Sequence, residues 1–135
     1  MEPRYLLDTN IIIYIRHNRP ESVRKLFRAL RPGEAVLSVI TLGELMYGVA
    51  KSPRRVEALS ALQQITAGLG VLPLPENTAQ VYGGLRAELE SKGQMIGNND
   101  LWIAAHGLAT GLTVVTNNEK EFRRVRGLKI ENWTS

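Results

Sequence analysis

The stretch Tyr5-Leu6-Leu7-Asp8-Thr9-Asn10-Ile11-Ile12-Ile13-Tyr14-Ile15 changes character at its centre. Up to Leu7 it is a short apolar run suited to a buried strand. From Ile11 to Ile15 it reads as an apolar helix, and Asp8 or Thr9 can cap the first turn. A strand, an acid and a helix in immediate succession form the first half of a β–α unit.

Reading outward from this unit, the same alternation continues. Pro20 suits a first helical position, and after it Val23, Leu26, Phe27 and Leu30 fall on one apolar stripe. Pro32-Gly33 is a turn and Ala35–Ser38 a second strand. Leu42, Leu45, Met46 and Val49 repeat the helical stripe, with Ser38 or Thr41 near its start. Pro53 begins a further helix carrying Val56, Leu59, Leu62 and Ile65. Val71–Leu74 reads as a third strand, residues 76–91 as a long helix ended by Lys92-Gly93, and Asn98 or Asn99 as the cap of the next helix, which ends at Gly111. Leu112–Val115 is a β-branched strand, Glu119–Arg123 a short helix and Leu128–Ile130 a last strand. Strands alternating with helices through short loops predict a mostly parallel sheet with helices on both faces, an α/β/α sandwich. In such a sheet ligands bind beyond the carboxyl ends of the strands. Asp8 ends the first strand, the segment holding Glu44 follows the second, and Thr116-Asn117-Asn118 ends the fourth.

The 135 residues are expected to form one domain, residues 1–135, with a sizeable core. No apolar run approaches the roughly 18 residues of a membrane helix, and the first strand begins too early for a signal peptide. A cytoplasmic location without membrane association is expected. The absence of cysteine excludes disulfides, thiolate metal sites and thiol nucleophiles. A net charge of +4, with Arg24, Lys25, Arg28 and Arg31 clustered and Arg123, Arg124, Arg126 and Lys129 clustered, suits a polyanion such as nucleic acid. Composition alone does not separate that reading from an ordinary basic surface.

Against this basic background Asp8, Glu44 and Asp100 each stand at the edge of an apolar segment. Acids that converge repel one another, and they persist together only with a cation or a shared proton. Each also has an alternative reading: Asp8 as a helix cap, Glu44 as a solvated surface acid, and Asp100 as a first-turn acid favoured by the helix dipole. Glu44 lies about 200° from Leu42 on a helical wheel, off the apolar stripe and between the small residues Thr41 and Gly48. Asp100 has no Lys or Arg three or four residues away, and Ile103, Ala104 and Gly107 line its side of the helix. His17 and His106 form no metal-ligand pair. Arg86 can pair with Glu90 at i+4 or contact a phosphate. No serine sits in a nucleophile elbow, and neither a dinucleotide loop nor a Walker motif is present.

These residues resemble a PIN-domain ribonuclease, and more narrowly the VapC toxins of bacterial type II toxin–antitoxin modules. The resemblance is carried by Leu6–Asn10, Ser38–Gly48 with Glu44, Arg86–Leu89, Ile96–His106 with Asp100, Leu112–Phe122, and the tail Leu128–Trp133. It spans nearly the whole chain in family order. It implies a PIN-like three-layer α/β/α sandwich and metal-dependent endonucleolytic cleavage of RNA, with tRNA or another structured RNA as substrate and translation and growth as the target. On matching positions it implies Asp8, Glu44 and Asp100 as metal-binding acids, with Asn118 and Glu121 completing the catalytic group. Asn118 departs from the wider pattern, where many members carry a fourth aspartate. An amide brings no charge, so a second ion is expected only when substrate arrives. Thr9, Asn10, Arg86 and Thr116 are expected to position waters or the phosphate.

The implied cofactor is Mg²⁺, with Mn²⁺ able to substitute, since hard ions take oxygen ligands and keep several waters. The implied partners are RNA, a cognate VapB-type antitoxin protein, and a second copy of the chain in a homodimer within the complex. A haloacid-dehalogenase-type phosphatase is excluded because Asn10 stands where its second aspartate would be. A response-regulator receiver is excluded by the lack of an acid pair and a late lysine. The alternative of a different class is a non-catalytic PIN-type RNA-binding or protein-interaction scaffold; retention of the three acids favours the enzyme.

Overall fold

The computed structural model describes residues 2–134. Strands β1 (Tyr5–Leu7), β2 (Ala35–Ser38), β3 (Val71–Leu72), β4 (Thr113–Val115) and β5 (Ile130–Glu131) form one sheet in the order β3-β2-β1-β4-β5. Every pairing is parallel, with Leu6 beside Val36 on one side and Val114 on the other. Helices α1 (Thr9–His17), α2 (Glu21–Arg28), α3 (Val39–Ala50), α4 (Arg55–Leu69), α5 (Thr78–Ser91), α6 (Asn98–Thr110) and α7 (Glu119–Phe122) supply the crossovers.

The alternation of side chains along β1 divides the core in two. Leu6, Val36 and Val114 face a cluster built with Leu85, Leu89, Leu101, Ile103 and Phe122. Leu7, Leu37 and Val115 face a second cluster with Ile11, Ile12, Val23 and Trp133. Both Leu6 and Leu7 are fully buried, which is why β1 reads as unbroken apolar sequence. The result is the expected three-layer sandwich.

Several boundaries differ from the sequence expectation. Asp8 and Ser38 do cap α1 and α3, each side chain accepting a backbone N–H. The cap of α6 is Gly97, not Asn98 or Asn99, because both asparagines lie in the first helical turn. Pro20 is the N-cap of α2, not its first residue, and α4 starts at Arg55, beyond Pro53. β3 is only Val71–Leu72, since Pro73 lacks an N–H for a parallel ladder. The stripes of α2, α3 and α4 are also narrower than expected: Leu26, Met46 and Val56 are exposed, Val56 by 81%.

One close approach holds the α6 layer to the sheet. A Cβ on Gly107 would stand 2.8 Å from Val114 Cγ2 and 3.0 Å from Leu128 Cδ1. Gly107→Val is expected to lower unfolding stability by about 1–3 kcal/mol through overpacking, read as a reduced urea midpoint. An unchanged midpoint would show that this contact is not tight.

Candidate active site

The sheet order places a topological switch between β1 and β4: the chain leaves β1 toward β2 on one side and reaches β4 on the other. In open α/β sheets the ligand crevice lies at such a point, beyond the strand ends. Asp8 and Thr116, the residues immediately following β1 and β4, meet there. Thr116 Oγ1 donates to Asp8 Oδ2 at 2.8 Å, and the Thr9 N–H donates to Asp8 Oδ1 at 2.6 Å. Asp8 is 6% exposed and Thr116 fully buried. Asp8 is thus the cap of α1, and its second carboxylate oxygen is tied to the loop after β4.

The other acids arrive from three separate helices. On α3, Glu44 is half-buried and its Oε1 accepts the Thr9 hydroxyl at 2.7 Å. On α6, the half-buried Asp100 Oδ2 accepts Asn118 Nδ2 at 3.4 Å. Glu121, on α7, accepts from the same Asn118 amide and, at 3.1 Å, from the Gly97 N–H. The Asn118 N–H donates to Thr116 Oγ1 at 2.9 Å, closing a chain of contacts from Asp8 through Thr116 and Asn118 to Asp100 and Glu121.

No lysine or arginine among the described residues forms an ion pair with Asp8, Glu44, Asp100 or Glu121. The electrostatic consequence is marked at Asp100, whose carboxyl is pushed up to about 6 by burial and then by the charges of Asp8, Glu121 and Glu44. Burial also raises Asp8, against the lowering effect of the Thr116 and Thr9 hydrogen bonds. Among the described residues, no three Asp, Glu, His or Cys side chains are close enough to ligate one ion directly. The donors are carboxylate, hydroxyl and amide oxygens, which suits a hard divalent ion that keeps most of its waters and takes only one or two carboxylates directly.

Other expected site residues are placed differently. Thr9 holds Glu44, and Asn10 Nδ2 reaches Asn117 Oδ1 at 3.4 Å. Arg86 donates to Tyr82 Oη at 3.0 Å and pairs with Glu90 at 3.7 Å, the i+4 alternative. His106 is a packed histidine, fully buried with Nδ1 2.8 Å from Ser38 Oγ, and burial lowers its pKa. Sequence reasoning missed Asn117 and Tyr14, whose contact (Asn117 Nδ2 to Tyr14 Oη, 2.8 Å) ties the β4–α7 loop to α1. Tyr14 lies four residues after Asn10, on one helix face, which was the available signal.

A pH dependence follows from Asp100. The fold retains its proton up to about 6, whereas the ordinary value is 3.8. Between these values the folded form binds more protons than the unfolded one, so stability is greatest below about 4 and falls as pH rises toward 6. In EDTA, Asp100→Asn is expected to remove this slope and to gain about 1–2 kcal/mol at neutral pH, after allowance for solvent screening. Urea denaturation across pH measures both, and identical profiles for the two proteins would contradict the assignment of the repulsion.

The comparisons with known proteins agree with this architecture. The PIN domain family matches residues 5–128. The chain is 42% identical over 130 residues to ribonuclease VapC2 of Rickettsia felis, covering 96% of this chain and 97% of that protein. It is 40% identical over 131 residues to the tRNA(fMet)-specific endonuclease VapC of Shigella flexneri, covering 97% and 98%. Its fold superimposes on the DNA-bound VapBC structure of Salmonella typhimurium with a TM-score of 0.91 at 40% identity, over 98% of this chain and 99% of that one. With the family matched over most of its length and relatives this similar end to end, the chain belongs to the PIN-domain family and, within it, to the VapC ribonucleases.

Proposed function

We propose that the protein, acting as one domain over residues 1–135, is a divalent-metal-dependent endoribonuclease and the toxin of a toxin–antitoxin module. Its substrate is tRNA or another structured RNA, and its cleavage halts translation and growth. The observation that carries this reading is the gathering of Asp8, Glu44, Asp100 and Glu121 at one site with no ion-pair partner among the described residues, reflected in the raised carboxyl of Asp100. The R. felis and S. flexneri relatives are a ribonuclease and a tRNA(fMet)-specific endonuclease by name, which supports RNA as the substrate class.

In this reading Asp8 and Asp100 hold Mg²⁺, or Mn²⁺ in its place, and Glu44 serves as a ligand or as the base that orients the attacking water. When bound, the ion supplies Lewis acidity that lowers the pKa of water and neutralises charge developing on the phosphate. Thr116 fixes the rotamer of Asp8, and Thr9 fixes that of Glu44. Asn118 and Glu121 complete the catalytic group, with Asn118 turning its amide between Asp100 and Glu121. Asn10 and Arg86 contact the substrate at the rim, Arg86 by exchanging Glu90 for a phosphate. The basic surface supplies the attraction for RNA that an acidic crevice lacks.

An antitoxin of the VapB type is the proposed protein partner, with a second copy of the chain in the same complex. The VapBC structures of the relatives support this. A groove of about 270 Å³ between α1, α3 and α4 offers apolar surface from Ile13, Leu45, Val49 and Ile65, with Glu44 and Arg16 also in its lining. A partner segment seated there would cover apolar area and stand against the catalytic acid.

The partner-free protein is expected to cut tRNA in Mg²⁺ or Mn²⁺ and to stop in excess EDTA. Asp8→Asn and Asp100→Asn are each expected to reduce cutting about 100-fold or more while retaining RNA binding. Cleavage that survives EDTA or both substitutions would sink the metal mechanism. Binding without cleavage in every metal would instead identify a scaffold.

A further inference from the structure

A second cleft opens on the other flank of Glu44, between the start of α3 and the start of α6. It has a volume of about 600 Å³, within the range of roughly 300–1,000 Å³ found for ligand pockets. Thr9 and Glu44 belong to it and to the acidic crevice alike, and its remaining lining comes from Val39, Ile40, Gly43, Tyr47 and Asn99. We propose that this cleft is a nucleobase subsite for the RNA, with Tyr47 as its stacking platform and Asn99 as its hydrogen-bonding edge. The inference rests on the reading of the acidic crevice as an RNA-cleaving site.

The observations converge on a flat aromatic ligand carried by a polyanion. Tyr47 is 66% exposed, so most of its ring is open to a ligand. Lys51, the C-cap of α3, sets its Nζ 4.8 Å from the Tyr47 ring centroid. This contact steadies one face of the ring and leaves the other for stacking. A Cβ built on Gly43 meets nothing within 4 Å, so the helix surface beside the ring is open. Val39, exposed by 40%, adds an apolar wall. Asn99 supplies a donor and an acceptor of the kind that read a base edge. A base seated here would be held next to Glu44, and the Lys51 ammonium would lie within reach of the strand's phosphates.

Stacking on an aromatic side chain is the interaction by which single-stranded and splayed-out bases are commonly held.

The test separates this subsite from the cleavage reaction. RNA oligonucleotides copied from the site cut in tRNA, each with 2-aminopurine or an abasic residue at one position beside the cut, are bound to the Asp100→Asn protein in Mg²⁺. At one position stacking is expected to quench 2-aminopurine. Tyr47→Ala is expected to abolish the quench and raise Kd about 10-fold, with Tyr47→Phe close to the parent. The effect of Tyr47→Ala should vanish when that base is abasic. In cleavage by the otherwise wild-type enzyme, Tyr47→Ala should raise KM more than it lowers kcat. Undiminished binding by Tyr47→Ala, or an equal loss on abasic and intact RNA, would overturn the subsite. So would a fall in sedimentation coefficient on Tyr47→Ala, which would assign the cleft to a second copy of the chain. Failure of the wild type to cut any RNA is a different result: it removes the enzyme reading, while oligonucleotides copied from tRNA loops still decide the stacking contact by binding.

Discussion

The hydrogen bond from Thr116 to Asp8 joins residues 108 positions apart, and it exists only because β1 and β4 lie side by side. That parallel pairing, Leu7 beside Val115, brings two strand ends to the same height, at the switch point where such sheets bind ligands. Everything in the site is referenced to it. Thr9 continues from Asp8 and holds Glu44; Asn118 continues from Thr116 and reaches Asp100 and Glu121. A buried hydroxyl that donates to one carboxylate and accepts the N–H of the loop beyond it makes the positions of the acids interdependent.

The price of that arrangement is electrostatic. The chain carries +4 overall, yet Asp8, Glu44, Asp100 and Glu121 have no ion-pair partner among the described residues. Outside the site, the Arg31 backbone N–H and then Arg4 lower the Glu34 carboxyl, and Lys92 and Arg123 lower those of Glu88 and Glu119. Asp8 and Asp100 move the opposite way. A fold that pairs Glu34, Glu88 and Glu119 but leaves Asp8 and Asp100 unpaired stores repulsion of the kind a cation would relieve.

The helical layer over the Leu7 face of the sheet is less enclosed than its sequence suggests. Leu26, Met46, Tyr47 and Val56 lie on helices whose apolar periodicity continues past the core, and all four side chains are exposed. A short sheet offers each helix a narrow strip of contact, so the outer residues of each stripe have nothing beneath them. Of these, Tyr47 lines a cleft beside Glu44, where a ligand gains by covering it.

Much of this was legible in the residues themselves. Alternating strands and helices dictated a parallel sheet, because short loops and buried β-branched runs leave few other arrangements. Asp8 and Asp100 could be singled out because an acid at the edge of an apolar segment with no nearby cation has few purely structural uses. Local pattern could also place Ser38 as a cap and Arg86 beside Glu90, since both depend on residues within one turn. It could not show that Thr9 serves Glu44, that Thr116 serves Asp8, or that Tyr14 and Asn117 meet. Those pairs are set by strand order and helix crossing, which no local spacing encodes. Nor could it tell which apolar residues would be left outside, because burial depends on what the neighbouring layer covers. The acids and the sheet edge they approach were written in the sequence. The contacts that join them, and the burial and repulsion that raise Asp100, belong to the tertiary structure, because they depend on which helices cross beside the strand ends.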